Sequence, residues 1–409
     1  MSPSTESPPR FDPFEAGFAE NPYPQYRRLR EAEPVHRTTL GPTLLTRWAD
    51  VNQLLRNPAV SVEDRNATEG GLRATPTGND PERAERGNRS ILRLDPPDHT
   101  RLRKLVSKAF TPRSVAKLQP AIVAMVSDIF DDLASREDPF DLITHLAFPL
   151  PFAVITEMLG MPASDTERIR DLSHIVSQAV DPILAATKAD EIFEASDELQ
   201  DLVAGAVEWK RNRPDDDDLL NALLKAEDGG DKLSDQEIRD NVVLLYIAGH
   251  ETTVNLIGNG INALLHNRGE LERLRDGSVA DVDAVEELLR YDSPVQLTRR
   301  VLLEPITIDG HRIDAGDYVL TGIGAANHDP AKFGPTADDL DLGRPGAREH
   351  VSFGSGIHHC LGAALARLEG QAVTGPMVRR FPDLDLAGDP VSNGRFVLRG
   401  LDSLPVTIR

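Results

Sequence analysis

The chain has 409 residues, of which 40% are hydrophobic and 27% are charged, and its formal net charge is −21. This is the composition of a globular protein with ample material for a core, and the acidic total excludes nucleic acid as a main partner because phosphate binding needs a basic surface. The single cysteine excludes an intrachain disulfide, and no stretch approaches the roughly 20 apolar residues that span a bilayer.

The N-terminal segment is rich in Pro and Ser and lacks the basic start and apolar run of a signal peptide. We therefore expect a cytoplasmic protein without a membrane anchor, with residues 1–12 as a disordered tail. Residues 63–92 are polar and show no periodicity, which is typical of a disordered segment or a functional lid. Length alone suggests two or three domains.

The central part of the chain is predicted to be mostly helical, beginning after Pro96 and Pro97, a pair that suits a helix start. The predicted helices include 114–135, 151–160, 164–180, 187–212, 217–227, 234–268, 280–291 and 361–378. After Pro294 the sequence alternates apolar and polar residues between Asp-Gly and Ala-Gly turns, which predicts short strands and hairpins. The fold class is therefore mainly α with a minor β portion.

An uncharged stretch runs from Val242 to Ala248 within the longest predicted helix, so this part of the helix should be buried. Gly249, Glu251 and Thr252 follow it. Glycine in a helix interior costs roughly 0.5–1 kcal/mol relative to alanine, so its place beside an acid and an alcohol indicates close approach of another group to the backbone. Glu251 can relay protons, and Thr252 can hydrogen-bond a ligand or a backbone carbonyl. The alternative is a buried helix whose polar groups are satisfied by the protein.

Two further groups of charged residues carry weaker signals. Glu287 and Arg290 are three residues apart on one face of a predicted helix, an arrangement that is also common on exposed helices. The cations outside the acidic bulk are His99, Arg103, Arg299, Arg300 and His350. Together they are suited to clamp the carboxylates of a bound cofactor, because arginine offers a planar fork of donors.

The strongest feature is FGSGIHHCLG, residues 353–362, which contains the one cysteine among three glycines that permit tight turns. Cys360 directly precedes a helical run, where the helix dipole and free amide donors lower the pKa of a thiol. Zinc is disfavoured because no second cysteine or spaced ligand set is present, and a nucleophile would need a base such as His358 or His359. A single axial thiolate to haem iron fits the cysteine count best, and a small buried hydrophobe is the alternative.

Four motifs in one order resemble the cytochrome P450 superfamily. The haem loop of that family, F-x-x-G-x-H-x-C-x-G, is matched by Phe353, Gly356, His358, Cys360 and Gly362. The pattern A/G-G-x-D/E-T-T/S is matched by Ala248, Gly249, Glu251, Thr252 and Thr253. The E-x-x-R pair is Glu287 and Arg290, and the segment DPPDHTRLRKLVSKAF is similar to the family's helix that carries His99 and Arg103. The likeness covers roughly residues 20–409.

The resemblance implies a single cytochrome P450 domain over residues 13–409, with a flexible substrate lid at 63–92, and this overrides the division suggested by length. Haem b is expected between the long helix and the cysteine loop. Glu287 and Arg290 are expected to be structural, with Arg344 as a third partner. Leu340 stands where many relatives have phenylalanine, a departure that concerns local packing only.

The resemblance also implies roles for single residues. Cys360 is the expected metal ligand. The residues expected to bind the cofactor are His99, Arg103, Arg300, His350, Phe353, Gly354, His358, Cys360 and Gly362, with Arg300 preferred to Arg299. The expected catalytic residues are Ala248, Gly249, Glu251 and Thr252; of these, Gly249 leaves room for dioxygen, Thr252 holds it and Glu251 helps deliver protons. The substrate pocket is expected to include Tyr246, Val295 and Leu297.

The implied activity is that of a haem-thiolate monooxygenase that takes two electrons from a redox partner and oxidises a mid-sized, largely apolar organic molecule, in secondary metabolism. We expect a monomer reduced by a ferredoxin-type donor that meets Lys104, Lys108 and Arg113, although these cations also suit a solvated helix face. Two alternatives remain open: a peroxygenase, coupling or rearrangement enzyme of the same cofactor class, and a non-catalytic helical binding protein. His359 has no assigned role.

Overall fold

The computed structural model describes residues 9–68, 89–137, 139–162, 165–214 and 216–409. The α-helices in these ranges are α1 (Tyr23–Ala32), α2 (Trp48–Leu55), α3 (Asp98–Ala109), α4 (Pro112–Ser135), α5 (Pro149–Leu159), α6 (Thr166–Ser177), α7 (Pro182–Thr187), α8 (Ala189–Arg211), α9 (Leu219–Lys225), α10 (Asp235–His266), α11 (Arg268–Arg275), α12 (Asp281–Tyr291), α13 (Ile323–Asn327), α14 (Pro330–Phe333) and α15 (Ala363–Arg380). A short π-helix, Ile143–Ala147, precedes α5.

The strands are short and belong to small sheets. They are β1 (Val35–Arg37), β2 (Thr43–Leu45), β3 (Val60–Ser61), β4 (Phe140–Asp141), β5 (Glu227–Asp228), β6 (Asp231–Lys232), β7 (Leu297–Leu302), β8 (Ile306–Ile308), β9 (His311–Ile313), β10 (Tyr318–Gly322), β11 (Asp385–Leu386), β12 (Val391–Ser392), β13 (Leu401–Ser403) and β14 (Pro405–Thr407). The largest sheet has the order β1-β2-β10-β7-β3, and only the β2–β10 pair in it is parallel. The prediction of a mainly α protein with a minor β portion is confirmed.

The helix α10 is the central element and was predicted to within two residues at each end. It starts at a capping box in which the Ser234 hydroxyl accepts the Glu237 N–H while the Glu237 carboxylate accepts the Ser234 N–H. The uncharged run that follows is buried on nearly every side of the helix. Its apolar residues join one large cluster that extends from Ile91 to Ile408. This continuous core makes the molecule a single domain.

The two segments expected to be flexible are only partly described. Of the predicted tail, residues 1–8 lie outside the described residues, but Phe11 is buried and its N–H donates to His36 at 3.3 Å. The tail was therefore drawn too long, because Phe11 packs into the core. Of the predicted lid, residues 69–88 lie outside the described residues, and its C-terminal flank docks on α10, where Ile91 N–H donates to Asn241 at 3.1 Å.

Among the described residues, no helix combines the length and the apolar character needed to cross a bilayer.

Candidate active site

Cys360 lies in the loop between a 3-10 turn, Gly356–His358, and the start of α15. Its N–H donates to the carbonyl of Phe353 at 2.8 Å, which closes the loop. Cys360 is exposed at the surface, but the protein atoms packed around the thiol desolvate it and raise its pKa above the ordinary value, while the N–H groups of Gly362 and Ala363 act in the opposite direction. The loop thus offers the sulfur two backbone donors of the kind that stabilise a thiolate.

Two glycines of this loop are required by their surroundings. Gly356 has a φ of +70°, and a Cβ there would lie 2.3 Å from the carbonyl oxygen of Leu55 at the end of α2. A Cβ on Gly362 would lie 4.0 Å from the Cys360 sulfur. Gly356 therefore lets the loop pack against α2, and Gly362 keeps the space beside the sulfur free of a side chain.

A cluster of basic side chains lies at the loop and includes His99, Arg103 and His358, three of the residues expected to bind the cofactor. The rings of His99 and His358 lie 4.2 Å apart between centroids, and Arg103 Nη2 donates to the carbonyl of His359 at 2.5 Å. Burial, together with the nearby His99, Arg300 and Arg103, lowers the pKa of His358 to about 3. Both ring nitrogens of His99 are buried without a hydrogen-bond partner. Buried donors among cations fit an anionic group such as a haem propionate.

The structure supports the choice of Arg300 over Arg299. Arg299 is already paired with Asp64, at 2.6 Å between Nη1 and Oδ1. Arg300 is buried on β7, its Nη1 donates to the carbonyl of Arg299 at 2.7 Å, and burial lowers its pKa to about 10. A buried guanidinium with a peptide oxygen as its hydrogen-bond partner is suited to bind a carboxylate.

His350 occupies a different setting from the one expected. Its Nε2 contacts Glu286 Oε2 at 3.1 Å, and its Nδ1 accepts the Ser352 N–H at 3.1 Å. Glu286 also accepts Arg367 Nε at 2.7 Å. Both ring nitrogens of His350 therefore have protein partners, and a propionate would have to displace one of them. Phe353 is close by, with the Arg367 guanidinium 4.5 Å from its ring centroid.

The predicted catalytic residues of α10 lie on more than one face of the helix. Ala248 is exposed and Thr252 half-buried, one turn apart, and Thr252 Oγ1 donates to the carbonyl of Ala248 at 2.7 Å. Gly249 faces elsewhere: a Cβ there would meet Ile155 Cδ1 of α5 at 3.5 Å, an ordinary contact. The room that Gly249 leaves is therefore bounded by α5.

Glu251 is buried and has two partners that the sequence analysis missed. Its Oε1 accepts Arg395 Nη1 at 2.8 Å, and its Oε2 contacts His174 Nδ1 at 3.1 Å. Burial raises the pKa of Glu251, but His174 and Arg395 outweigh it, and the pKa lies below the ordinary value. No local pattern could have found these partners, because they lie 77 and 144 residues away from Glu251. The positive charge of Arg395 was the only local feature that could have indicated a partner for a carboxylate.

Glu287 and Arg290 form a fully buried pair, in which Arg290 Nε and Nη2 each donate to a carboxylate oxygen of Glu287 at 2.7 Å. Arg344 joins them as expected, its Nε 3.0 Å from Glu287 Oε1. Arg290 also donates to the carbonyls of Asn327 and Ala337 at 2.7 Å each. The cluster fixes α12 to the segment that leads to the cysteine loop.

The residues predicted for the substrate pocket do not meet. Tyr246 has no accessible surface, and its ring packs on Phe152 of α5 at 5.5 Å between centroids. Leu297 is buried in a separate cluster with Tyr26. Val295 is half-buried and bridges to Leu398. Tyr246 and Leu297 therefore pack within the protein here, and their expected place in a substrate pocket stays a prediction.

The predicted basic patch on α3 is partly neutralised. Asp228 in the β5–β6 hairpin pairs with both Lys104 and Lys108, the latter at 3.0 Å, and Lys108 also donates to the Glu227 carbonyl at 2.6 Å. Arg113 is exposed on α4.

Comparison with known proteins agrees with this geometry. The family model described as Cytochrome P450 matches residues 73–278 and 282–391. The chain belongs to the cytochrome P450 family. It is 39% identical to the Vitamin D(3) 25-hydroxylase of Pseudonocardia autotrophica, over 100% of this chain and 99% of that one.

Solved cytochrome P450 structures share the fold. The structure of the polyketide synthase cytochrome P450 PksS from Bacillus subtilis 168 has a TM-score of 0.87 at 37% identity, covering 97% of this chain and 99% of the other. P450BioI in complex with a fatty acid-ligated acyl carrier protein also has a TM-score of 0.87, at 33% identity, with 96% and 99% covered.

Family membership assigns the cofactor and the reaction class. Cytochromes P450 bind haem b through a cysteine thiolate, and this cytochrome P450 is a monooxygenase, an oxidoreductase that needs an organic substrate, dioxygen and a redox partner. The unpartnered nitrogens of His99 and the single cysteine fit that cofactor.

Proposed function

We propose that Cys360 is the axial ligand of haem b and that His99, Arg103, Arg300 and His358 surround its propionates. The observation that carries this proposal is the pair of buried, unpartnered ring nitrogens of His99 beside Arg103, which lowers the pKa of His99 further once burial has done so. A propionate brought there would accept a hydrogen bond from the ring N–H and offset the mutual repulsion of the cations.

The bound cofactor supplies the redox chemistry that activates dioxygen and oxidises a C–H bond. The protein places the groups that manage protons on α10. Thr252 Oγ1 donates a hydrogen bond to the Ala248 carbonyl. Its lone pairs are therefore free to accept a hydrogen bond on the half-buried side of the helix. Glu251, one residue earlier, is the proposed carrier that brings protons to this side.

For the substrate we propose a mid-sized, largely apolar organic molecule of secondary metabolism. Support comes from the relatives, whose names mention vitamin D3 hydroxylation and polyketide synthesis. Ala248 adds a small apolar surface at an exposed point of an otherwise buried helix.

For the redox partner we propose an acidic ferredoxin that docks on the face of α3 bearing Lys104 and Lys108. Support comes from Arg103 of the same helix, whose bond to the His359 carbonyl joins α3 to the cysteine loop. Electrons that arrive at this face are therefore next to the proposed ligand loop.

The test is the ferrous–CO difference spectrum of the purified protein. We expect a strongly red-shifted Soret band that is absent in Cys360→Ala. Retention of that band in Cys360→Ala, or its absence from the unmodified protein, would contradict the assignment.

A second measurement tests the propionate cluster. Transfer of haem to apomyoglobin should be roughly 10- to 150-fold faster in His99→Ala, since a hydrogen bond to a charged group contributes about 1.5–3 kcal/mol. His311→Ala is the matched control, because His311 is exposed on β9. Equal transfer rates in the two variants would remove His99 from the cluster.

A further inference from the structure

The proposed proton carrier Glu251 is held between two side chains of unequal exposure. The side chains of Glu251 and Arg395 are 6% and 7% exposed, whereas that of His174 is 38% exposed. Of the three, His174 therefore is the one that reaches from the carboxylate to the surface. It does so from α6, a helix that packs across α10 at this level.

The surroundings hold the ring of His174 in place. The ring of Phe148 meets it edge to face at 5.7 Å between centroids, and the carbonyl of His174 accepts the Ser177 hydroxyl at 2.7 Å. Ser177 Oγ in turn accepts Arg395 Nη1 at 3.2 Å. The two partners of Glu251 are thus tied to each other as well as to the carboxylate.

His250, the neighbouring histidine of α10, cannot connect Glu251 to solvent. His250 Nε2 donates to the Phe148 carbonyl at 3.0 Å, and burial lowers the pKa of His250 to about 4, so that it stays neutral near pH 7. The other charged groups that face Glu251 and its histidine neighbours are Arg395 and Arg170, and an arginine side chain does not act as a proton carrier.

We propose that His174 is the positioning residue that connects Glu251 to solvent, and that Arg395 keeps the carboxylate ionised between transfers. The inference rests on the proposed proton-carrying role of Glu251. The exposed edge of the ring takes a proton from a hydronium ion of the solvent at Nε2, which leaves water; the Nδ1–H bond breaks, and an O–H bond forms at Glu251 Oε2. The ring is then neutral with its proton on Nε2, and the first state returns when water removes this proton and returns one to Nδ1.

The carboxylic acid formed in this way is a good proton donor. Burial alone would raise the pKa of Glu251, but the contacts with His174 and Arg395 lower it below the ordinary value. Glu251 therefore passes the proton onward readily and returns to its ion pair with Arg395.

Two variants of His174 separate a hydrogen bond from proton passage. His174→Asn retains an N–H donor near the position of Nδ1 but cannot exchange its proton, and His174→Ala removes the ring. In the holoenzyme, with any compound that shifts the haem spin state, we expect both variants to form roughly tenfold less product per electron pair consumed and to show a larger solvent isotope effect.

A second readout does not depend on turnover. The pKa of the Glu251 carboxyl group, followed by ¹³C NMR of the diamagnetic ferrous–CO holoenzyme and assigned with Glu251→Gln, should rise in His174→Ala and rise less in His174→Asn. His311→Asn is the matched control for both measurements.

The outcomes distinguish the role of His174 from the proposed role of Glu251. Wild-type coupling and isotope effect in His174→Asn would overturn the inference and leave His174 as a hydrogen-bond donor only. Uncoupling in Glu251→Gln without uncoupling in the His174 variants would also overturn it, while sparing the role of Glu251. Unchanged coupling in Glu251→Gln would remove both proposals.

Discussion

At the scale of single residues, two glycines of the site differ in what they require. Gly356 combines a left-handed backbone with a carbonyl oxygen 2.3 Å from its missing Cβ, so the loop exists only with glycine there. Gly249 has a helical backbone and an ordinary contact distance to Ile155. Both glycines belong to family motifs, yet only the geometry tells which one is demanded by packing.

We predict opposite effects for alanine at these two positions. Gly356→Ala should lose about 1–3 kcal/mol through backbone strain alone, and more through the clash with Leu55. Gly249→Ala should gain up to about 1 kcal/mol from helix propensity. Chemical unfolding of the two variants measures both values, and a stable Gly356→Ala would contradict the loop geometry.

The buried carboxylate of Glu287 supports a second prediction at this scale. Glu287→Gln leaves Arg290 and Arg344 without a counter-charge in a buried site, so we expect a loss of about 3–5 kcal/mol in the free energy of unfolding. Glu198→Gln is the control, since Glu198 pairs with Arg168 at the surface and its loss should change little. Similar losses in the two variants would argue against a special role for the buried cluster.

At the scale of elements, α10 combines a buried apolar body with polar residues that neighbouring elements satisfy. Arg395 from the C-terminal loop, His174 from α6 and the Phe148 carbonyl before α5 each meet a polar group of this helix. The helix therefore relies on neighbouring elements to keep its polar groups paired.

The buried His250 makes this element sensitive to acid. Its folded-state pKa of about 4 lies below the ordinary 6.5, so the unfolded chain binds a proton first and stability falls as the pH drops from 6.5 to 4. The contribution reaches about 3 kcal/mol by the lower end of this window. His250→Gln, which retains an N–H donor, should show a flatter stability profile between pH 7 and 4.5 by urea unfolding. Parallel profiles for the two proteins would contradict this prediction.

At the scale of the molecule, local sequence patterns predicted the positions of helices and strands better than the contacts between them. The ends of α10 were found because the Ser234–Glu237 capping box and the uncharged run are local. The packing of Tyr246 against α5 was not predicted, because the face turned toward α5 is set by tertiary packing. The partners of Glu251 were missed for the same reason, whereas the motif spacing located the cysteine loop without any knowledge of the fold.

The charge of the α3 face also depends on how elements meet. In Asp228→Asn, Lys104 and Lys108 lose their common partner, so we expect tighter binding of an acidic [2Fe–2S] ferredoxin, measured by titration at low salt. Asp314→Asn is the matched control, since Asp314 pairs with Arg312 at the surface. An equal change in both variants would show that net charge alone matters.

The β5–β6 hairpin has a consequence for how binding responds to salt. Asp228 already pairs with the ammonium groups that an acidic partner would use, so the hairpin takes the place of that partner's carboxylates. Docking is then an exchange of one set of ion pairs for another, and their number changes little. Fewer counterions are released than the two lysines would suggest, and the logarithm of the association rate should fall only gently with the logarithm of the salt concentration. Electron transfer from the proposed donor should therefore vary little with ionic strength.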